Sequence, residues 1–305
     1  MRLDHDVPLS RFTTIGTGGP ARAFAKPGDL EQLVELLGYA EGGGLPVAVV
    51  GLGSNLLVAD EGFPGLALKL AGGLAEVRLG DPSAGETWLE AGGGAALAVC
   101  LHRARAAGLG GLEFACAIPG TVGGAVWMNA GAYGADLRGV LRAAVVATAA
   151  GAEERTPDDL GMEYRRSGLR HGQVVAAAIF ELVPRPAAEV RRIVAELQRQ
   201  RKEAQPTNKR TFGSVFKNPA HELTAGRLLE ACGLRGFRIG GAQISPKHAN
   251  FIENAGGATT ADVLELIGEA RRRALERYGV VLEPEVQLIG GIEIPALSQA
   301  GTARQ

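Results

Sequence analysis

The sequence predicts an α+β protein in two parts, and three observations carry that prediction. Short apolar runs alternate with amphipathic helical stretches along the whole chain. Glycine makes up 45 of 305 residues, twice the usual ~7%. It gathers in a few words, such as "GLGSN" (51–55) and "IPGTVGGAV" (118–126), as tight loops between elements would require. A new segment then opens beside Pro186. The organisation expected is a glycine-rich larger part over 1–185, a smaller α/β part over 186–291 and a patternless tail, 292–305, expected to be disordered. No internal repeat is present.

Each element follows from local pattern. Leu30, Leu33, Val34 and Leu37 share one face of a helix predicted over 29–41. The apolar run "LPVAVVG" (45–51) reads as a buried strand, and "LALKL" and "LAEVRL" follow as strands. A second helix is predicted over 96–108, closed by Gly108. "GVLRAAVVAT" and "QVVAAAIFELV" read as strands. Val190, Ile193, Val194 and Leu197 stand at helical spacing in 186–206, which stops before Pro206. A helix over 223–233, a strand at "ANFIEN", a long helix over 259–279 capped by Thr260 and Gly279, and a strand at "VVLEPEVQLIG" complete the chain.

Composition excludes several classes. Lys plus Arg (32) balances Asp plus Glu (33), so a general nucleic-acid coat is not expected. Cys100, Cys116 and Cys232 form no CxxC pair, and the five histidines are scattered, so no metal site is expected. Sparse cysteines fit a reducing compartment. No run of about 18 apolar residues occurs, so the chain reads as a cytoplasmic protein without membrane insertion. Near-zero net charge and the absence of coiled-coil heptads point to a monomer.

Five stretches carry chemistry. In "VAVVGLGSNLLVAD" a strand enters a Gly-x-Gly-Ser-Asn turn whose amides converge as a phosphate cradle would; a plain turn is the alternative. "EFACAIPGTVGGAVWMNAGAYG" is almost all small residues, so its backbone can line a flat ligand. "MEYRRSGLRHG" holds Arg165 and Arg166, either a solvated pair or a fork for a carboxylate. "LEPEVQLIG" places Glu285 where the chain turns apolar, and a buried carboxylate needs a partner. In "TFGSVFKNP", Ser214 lacks a neighbouring His or Asp base.

Together the words "GLGSNLLVAD", "IPGTVGGAVWMNAGAYG", "YRRS", "GSVFKNP", "GGAQISPKHANFI" and "GVVLEPEVQLIG" resemble the UDP-N-acetylenolpyruvoylglucosamine reductase family. The match runs over about 10–290, nearly the whole chain. It implies a vanillyl-alcohol-oxidase-type FAD-binding domain of two α/β lobes, about 1–70 and 71–185, plus the smaller substrate domain. It implies NADPH as hydride donor and the enolpyruvyl ether of a UDP-sugar, UDP-N-acetylglucosamine, as acceptor, giving UDP-N-acetylmuramate for peptidoglycan. No histidine lies in either glycine-rich word, so FAD is expected to be non-covalent. Ala117 stands where the family usually has glycine in Gly-Ile-Pro. Only 49 positions separate Arg165 from Ser214, so the chain resembles the shorter branch, which lacks a tyrosine-bearing lid.

Carried over residue by residue, the resemblance implies Arg165, Ser214 and Glu285 as catalytic residues. It implies Gly51, Gly53, Ser54, Asn55, Leu56, Pro119, Gly120, Thr121, Gly123, Gly124 and Ala125 as flavin contacts. Tyr133, Tyr164, Arg201, Lys217 and Asn218 would meet the substrate. The chemistry needs such residues. Hydride addition to the β carbon of the vinyl ether loads charge onto the α carbon and carboxylate, which Arg165 can fork. Glu285 helps only if protonated. A serine acting as proton donor needs no base, and Lys217 could stabilise the resulting alkoxide. An oxidase of the wider flavoprotein fold and a non-catalytic nucleotide-sugar module stay as alternatives.

Overall fold

The computed structural model describes residues 2–297 and divides into two compact units, each drawn from more than one stretch. Of the described residues, the larger takes 2–7, Ala21–Gly53 and Pro64–Glu203; the smaller takes Pro8–Pro20, Ser54–Phe63 and 204–297. No described helix is long and apolar enough to cross a membrane.

The larger unit contains two principal sheets. One runs in the order Asp4–Pro8, Pro20–Ala25, Phe63–Leu68, Val47–Val49, the last pair parallel. The helix Leu30–Gly42 lays Leu33, Leu36, Leu37 and Ala40 into the same core as Leu66 and Leu68. Asp29 starts this helix by accepting the Gln32 amide at 2.8 Å. The second sheet is antiparallel in the order Gly151–Arg155, Leu141–Thr148, Val174–Glu181, Trp88–Gly92, Val77–Leu79. Its core takes side chains from the helices Leu97–Ala106, Val122–Trp127 and Ala187–Ala204. That last helix, placed by sequence in the smaller part, clusters with the larger unit because Val190 and Val194 are buried there.

In the smaller unit, the helices Ala225–Ala231 and Thr260–Tyr278 pack with the sheet Arg238–Ile239, Ala242–Ile244, Ile252–Asn254. A parallel pair, Leu56–Val58 with Gln287–Ile289, belongs to the same unit. Two local expectations are corrected. The long helix is capped by Thr259, in a capping box with Asp262; the Thr260 hydroxyl instead donates to the Val58 carbonyl at 2.6 Å and contacts the Thr17 hydroxyl at 2.9 Å. Of the strand expected over "VVLEPEVQLIG", regular strand covers only Gln287–Ile289, while Pro284 forms an isolated bridge with Phe216. Of the tail expected from 292 onward, Ile292 and Ile294 pack on this core and the Pro295 carbonyl accepts from Arg271. Residues 298–305 lie outside the described residues.

Candidate active site

Both glycine-rich words supply surface to the larger unit. A side chain at Gly51 would collide with Thr121, whose Oγ1 would lie 2.6 Å from the added carbon. The start of one word is thereby seated on the other. Lys69 donates to the Gly51 carbonyl at 2.8 Å, and burial lowers its pKa, with Lys26 adding to the effect. Thr121 caps the short helix by accepting the Gly124 amide at 3.5 Å, and the Gly123 amide donates to the Gly93 carbonyl at 2.8 Å. The Gly120 carbonyl accepts from Leu97, the Ala125 carbonyl from Ala130, and Pro119 is exposed. The result is backbone with small side chains at or near the surface, which fits a flat, phosphate-bearing group such as the flavin nucleotide.

Two strained turn tips follow. The hairpin Gly131–Ala132 with Ala135–Asp136 turns through Tyr133 and Gly134, both at positive φ (54° and 81°). That is the type I′ pattern, where Asn-Gly is usual and tyrosine is strained. The Tyr133 hydroxyl donates to the Leu197 carbonyl at 3.0 Å. One helical turn on, Arg201 reaches the Cys116 carbonyl at 3.4 Å. Burial raises the Tyr133 and Cys116 pKa values, and the Arg201 charge opposes both shifts, so these three side chains form one cluster.

The second tip carries the arginine pair. Glu163 and Arg166 exchange backbone hydrogen bonds at 3.0 and 3.3 Å, leaving Tyr164 and Arg165 as the corners. Arg165 has φ 56°, a position that glycine ordinarily takes. The structure separates the two arginines. Arg166 forks onto Glu163 Oε2 at 2.6 and 3.0 Å, both side chains exposed. Arg165 donates to the Gly131 carbonyl at 2.7 Å and lies over the Tyr164 ring, 4.9 Å from its centroid.

In the smaller unit, Ser214 and Glu285 ride on paired extended segments. The Glu285 amide donates to the Val215 carbonyl at 2.8 Å, and the Lys217 amide to the Glu283 carbonyl at 2.9 Å. Phe216 bridges Pro284, and Ser214 bridges Phe251 on its other side. Gly213 turns the chain into this ladder at φ 86°. The Glu285 carbonyl accepts from the Asn55 side chain at 3.1 Å and from Gln287 at 3.2 Å, and the Asn55 carbonyl accepts the Gln287 amide at 3.0 Å. Asn55, a flavin contact by the family resemblance, braces the Glu285 backbone. Leu56 pairs with Gln287, and the Ser54 carbonyl faces Gly213.

Lys217 is ion-paired with Glu283 at 2.6 Å, with only 14% of its side chain exposed. The Asn218 side-chain carbonyl takes the Ala225 amide at 3.1 Å, holding the start of the helix Ala225–Ala231. Thr211 buries a hydroxyl with no partner among the described residues, the kind of group a ligand satisfies.

The structure thus pairs the backbone of the Ser214 segment, through Val215, with Glu285, and groups Tyr133 with Arg201 and Tyr164 with Arg165. Two residues that sequence reasoning missed hold these arrangements. Asn250, 4% exposed, clamps the Ser214 segment: its side chain accepts the Phe216 amide at 3.0 Å and donates to the Phe216 carbonyl at 2.8 Å, while its own carbonyl accepts from Val215. Its signal is a lone amide inside the apolar run "ANFI". Asn129 is the other, at the end of the helix Val122–Trp127.

A family profile described as "FAD binding domain" matches residues 21–153, and one described as "UDP-N-acetylenolpyruvoylglucosamine reductase, C-terminal domain" matches residues 205–289. The UDP-N-acetylenolpyruvoylglucosamine reductase of Agathobacter rectalis is 43% identical over 297 residues, covering 94% of both chains. That of Paramagnetospirillum magneticum is 42% identical, covering 95% of this chain and 92% of its own. The crystal structure of the Thermus caldophilus UDP-N-acetylenolpyruvylglucosamine reductase superposes with a TM-score of 0.82 at 38% identity, covering 95% of this chain and 99% of that one.

Proposed function

The chain belongs to the UDP-N-acetylenolpyruvoylglucosamine reductase family, and from that premise we propose that it reduces the enolpyruvyl ether of UDP-N-acetylglucosamine to UDP-N-acetylmuramate, with NADPH as electron donor. It is an FAD-dependent oxidoreductase of peptidoglycan precursor synthesis. FAD, when bound, supplies hydride transfer between the nicotinamide and the β carbon of the vinyl ether. The words around Gly51, Gly53, Thr121 and Gly123 would hold it through backbone.

The observation that carries the reading is the ladder in which the Glu285 amide binds the carbonyl next to Ser214. Segments that carry a hydroxyl and a carboxyl group are thus neighbours in one ladder, which supports a joint role in protonating a carboxylate-stabilised carbanion. Ser214 gives its Oγ proton to the α carbon: the C–H bond forms as the O–H bond breaks, and the alkoxide regains a proton from solvent. Glu285 acts in its protonated form, sharing its proton with the enediolate, because a bare carboxylate would repel it. Arg165 forks to the substrate carboxylate and stabilises the developing charge. Tyr133, Tyr164, Arg201, Lys217 and Asn218 are assigned to the UDP-sugar. Of these, Lys217 meets a diphosphate only by sharing its charge with Glu283.

Anaerobic rapid mixing tests the assignment by separating the half-reactions. In Ser214→Ala, NADPH should reduce the flavin at a near-normal rate while reoxidation by the enolpyruvyl substrate falls by roughly 10²–10⁴-fold. If both halves run normally, Ser214 is not the donor. Oxygen consumption with an alcohol substrate would identify an oxidase instead.

A further inference from the structure

We infer that Asn129 is a positioning residue for Arg165, fixing the strained turn from which that arginine works. Asn129 follows the helix Val122–Trp127, whose end is a Schellman motif. The Asn129 amide donates to the Val126 carbonyl at 3.1 Å and the Ala130 amide to the Ala125 carbonyl at 2.8 Å. The motif needs a left-handed residue at the position Asn129 holds, at φ 41°. Glycine serves that backbone best, and this chain uses glycine freely. An asparagine here is explained by its side chain.

That side chain belongs to a residue only 1% exposed, and it reaches three partners. Nδ2 donates to the Glu163 carbonyl at 2.9 Å and to Asp136 Oδ2 at 3.2 Å. Oδ1 accepts the Arg138 amide at 3.0 Å. Arg138 in turn donates to the Met162 carbonyl at 3.0 Å and to Asp158 at 3.0 Å. Ser167, on the far side of the turn, donates to the Trp127 carbonyl at 2.7 Å. The 163–166 turn is therefore tied at its base to the helix end, and Arg165 then reaches the Gly131 carbonyl, two residues after Asn129. A left-handed arginine survives only where surrounding bonds over-determine it, and Asn129, itself 1% exposed, supplies one of them directly to the Glu163 carbonyl.

The catalytic arm of the test rests on the proposed reduction; the structural arm does not. Asn129→Gly keeps the left-handed backbone and removes the three contacts, and Asn129→Asp keeps the acceptor while removing both donors. In either variant, amide hydrogen exchange at Glu163 and Arg166 should accelerate by on the order of 10-fold, with the helix core unchanged. Reoxidation by substrate should slow by on the order of 10²-fold, because a displaced group loses about that much, while flavin reduction by NADPH stays normal. In an Arg165→Ala background, Asn129→Gly should cause no further loss. Unchanged exchange in the folded variants overturns the inference whatever the enzyme reduces. Losses that multiply in the double variant overturn it equally, since the two residues would then act separately. A wild-type protein without substrate-dependent reoxidation, but with loosened exchange in the variants, would sink the proposed function and leave the positioning intact.

Discussion

The two units hold their candidate site residues by opposite means. In the smaller one, Ser214 and Glu285 sit on extended backbone joined by main-chain hydrogen bonds, and the turn into the ladder falls on Gly213. In the larger one, Asn129, Tyr133 and Arg165 themselves take left-handed conformations, each costing an L-residue about 1–2 kcal/mol. Among the described residues every non-glycine with positive φ belongs to the larger unit. The contrast shows what a non-glycine side chain in a left-handed position requires. Side-chain hydrogen bonds must hold what backbone preference opposes.

The sharpest way to break this comparison is to separate the role of Arg165 from its strain. Arg165→Ala should lower the rate of flavin reoxidation by on the order of 10²-fold or more, as expected for a group facing developing charge. Arg165→Gly should lose as much activity, yet resist denaturant better than Arg165→Ala by about 1 kcal/mol, because only glycine takes φ 56° without penalty. Equal stabilities would mean that the turn is not strained.

The ladder side is tested at Asn250. Asn250→Ala leaves the Phe216 amide and carbonyl buried without their partners, and urea unfolding should lose roughly 2–4 kcal/mol. A loss under about 0.5 kcal/mol would show that main-chain pairing alone secures Ser214.

The smallest effect is expected at the capping box of the long helix. Asp262 accepts the Thr259 amide at 3.0 Å and the Gly241 amide at 3.1 Å, which holds its carboxyl below the ordinary range. A depressed folded pKa means that this contribution is complete above the unfolded value, near pH 4, and is lost as pH falls through the folded value. The melting temperature of the wild type should therefore drop more steeply than that of Asp262→Asn between about pH 5 and pH 2. Parallel curves would remove Asp262 from the pH response.

Much of this was legible in the chain because the signals are local. Apolar spacing located the helices Leu30–Gly42 and Thr260–Tyr278, and clustered glycines marked the surface words. Boundaries and membership were less legible. Nothing in residues 186–206 says which core Val190 and Val194 enter, since an amphipathic helix suits any apolar face. The cap fell on Thr259 and not Thr260 because two threonines in a row offer the same local chemistry, and only Val58 and Thr17, from distant stretches, claim the second hydroxyl.

The same division runs through the candidate site. In the sequence, the resemblance to the reductase family singled out Arg165, Ser214 and Glu285, while residue pattern alone left Arg165 and Arg166 undistinguished. Tertiary structure alone decided what holds them. Asn250 and Asn129 each lie 34 positions from the carbonyls of Phe216 and Glu163 that they bind, and Asn55 lies 230 positions from Glu285. It also decided that Arg166 is spent on Glu163 while Arg165 reaches the Gly131 carbonyl. The physical reason is that a side-chain amide's partners are set by where the backbone folds back, and no pattern along the chain encodes that.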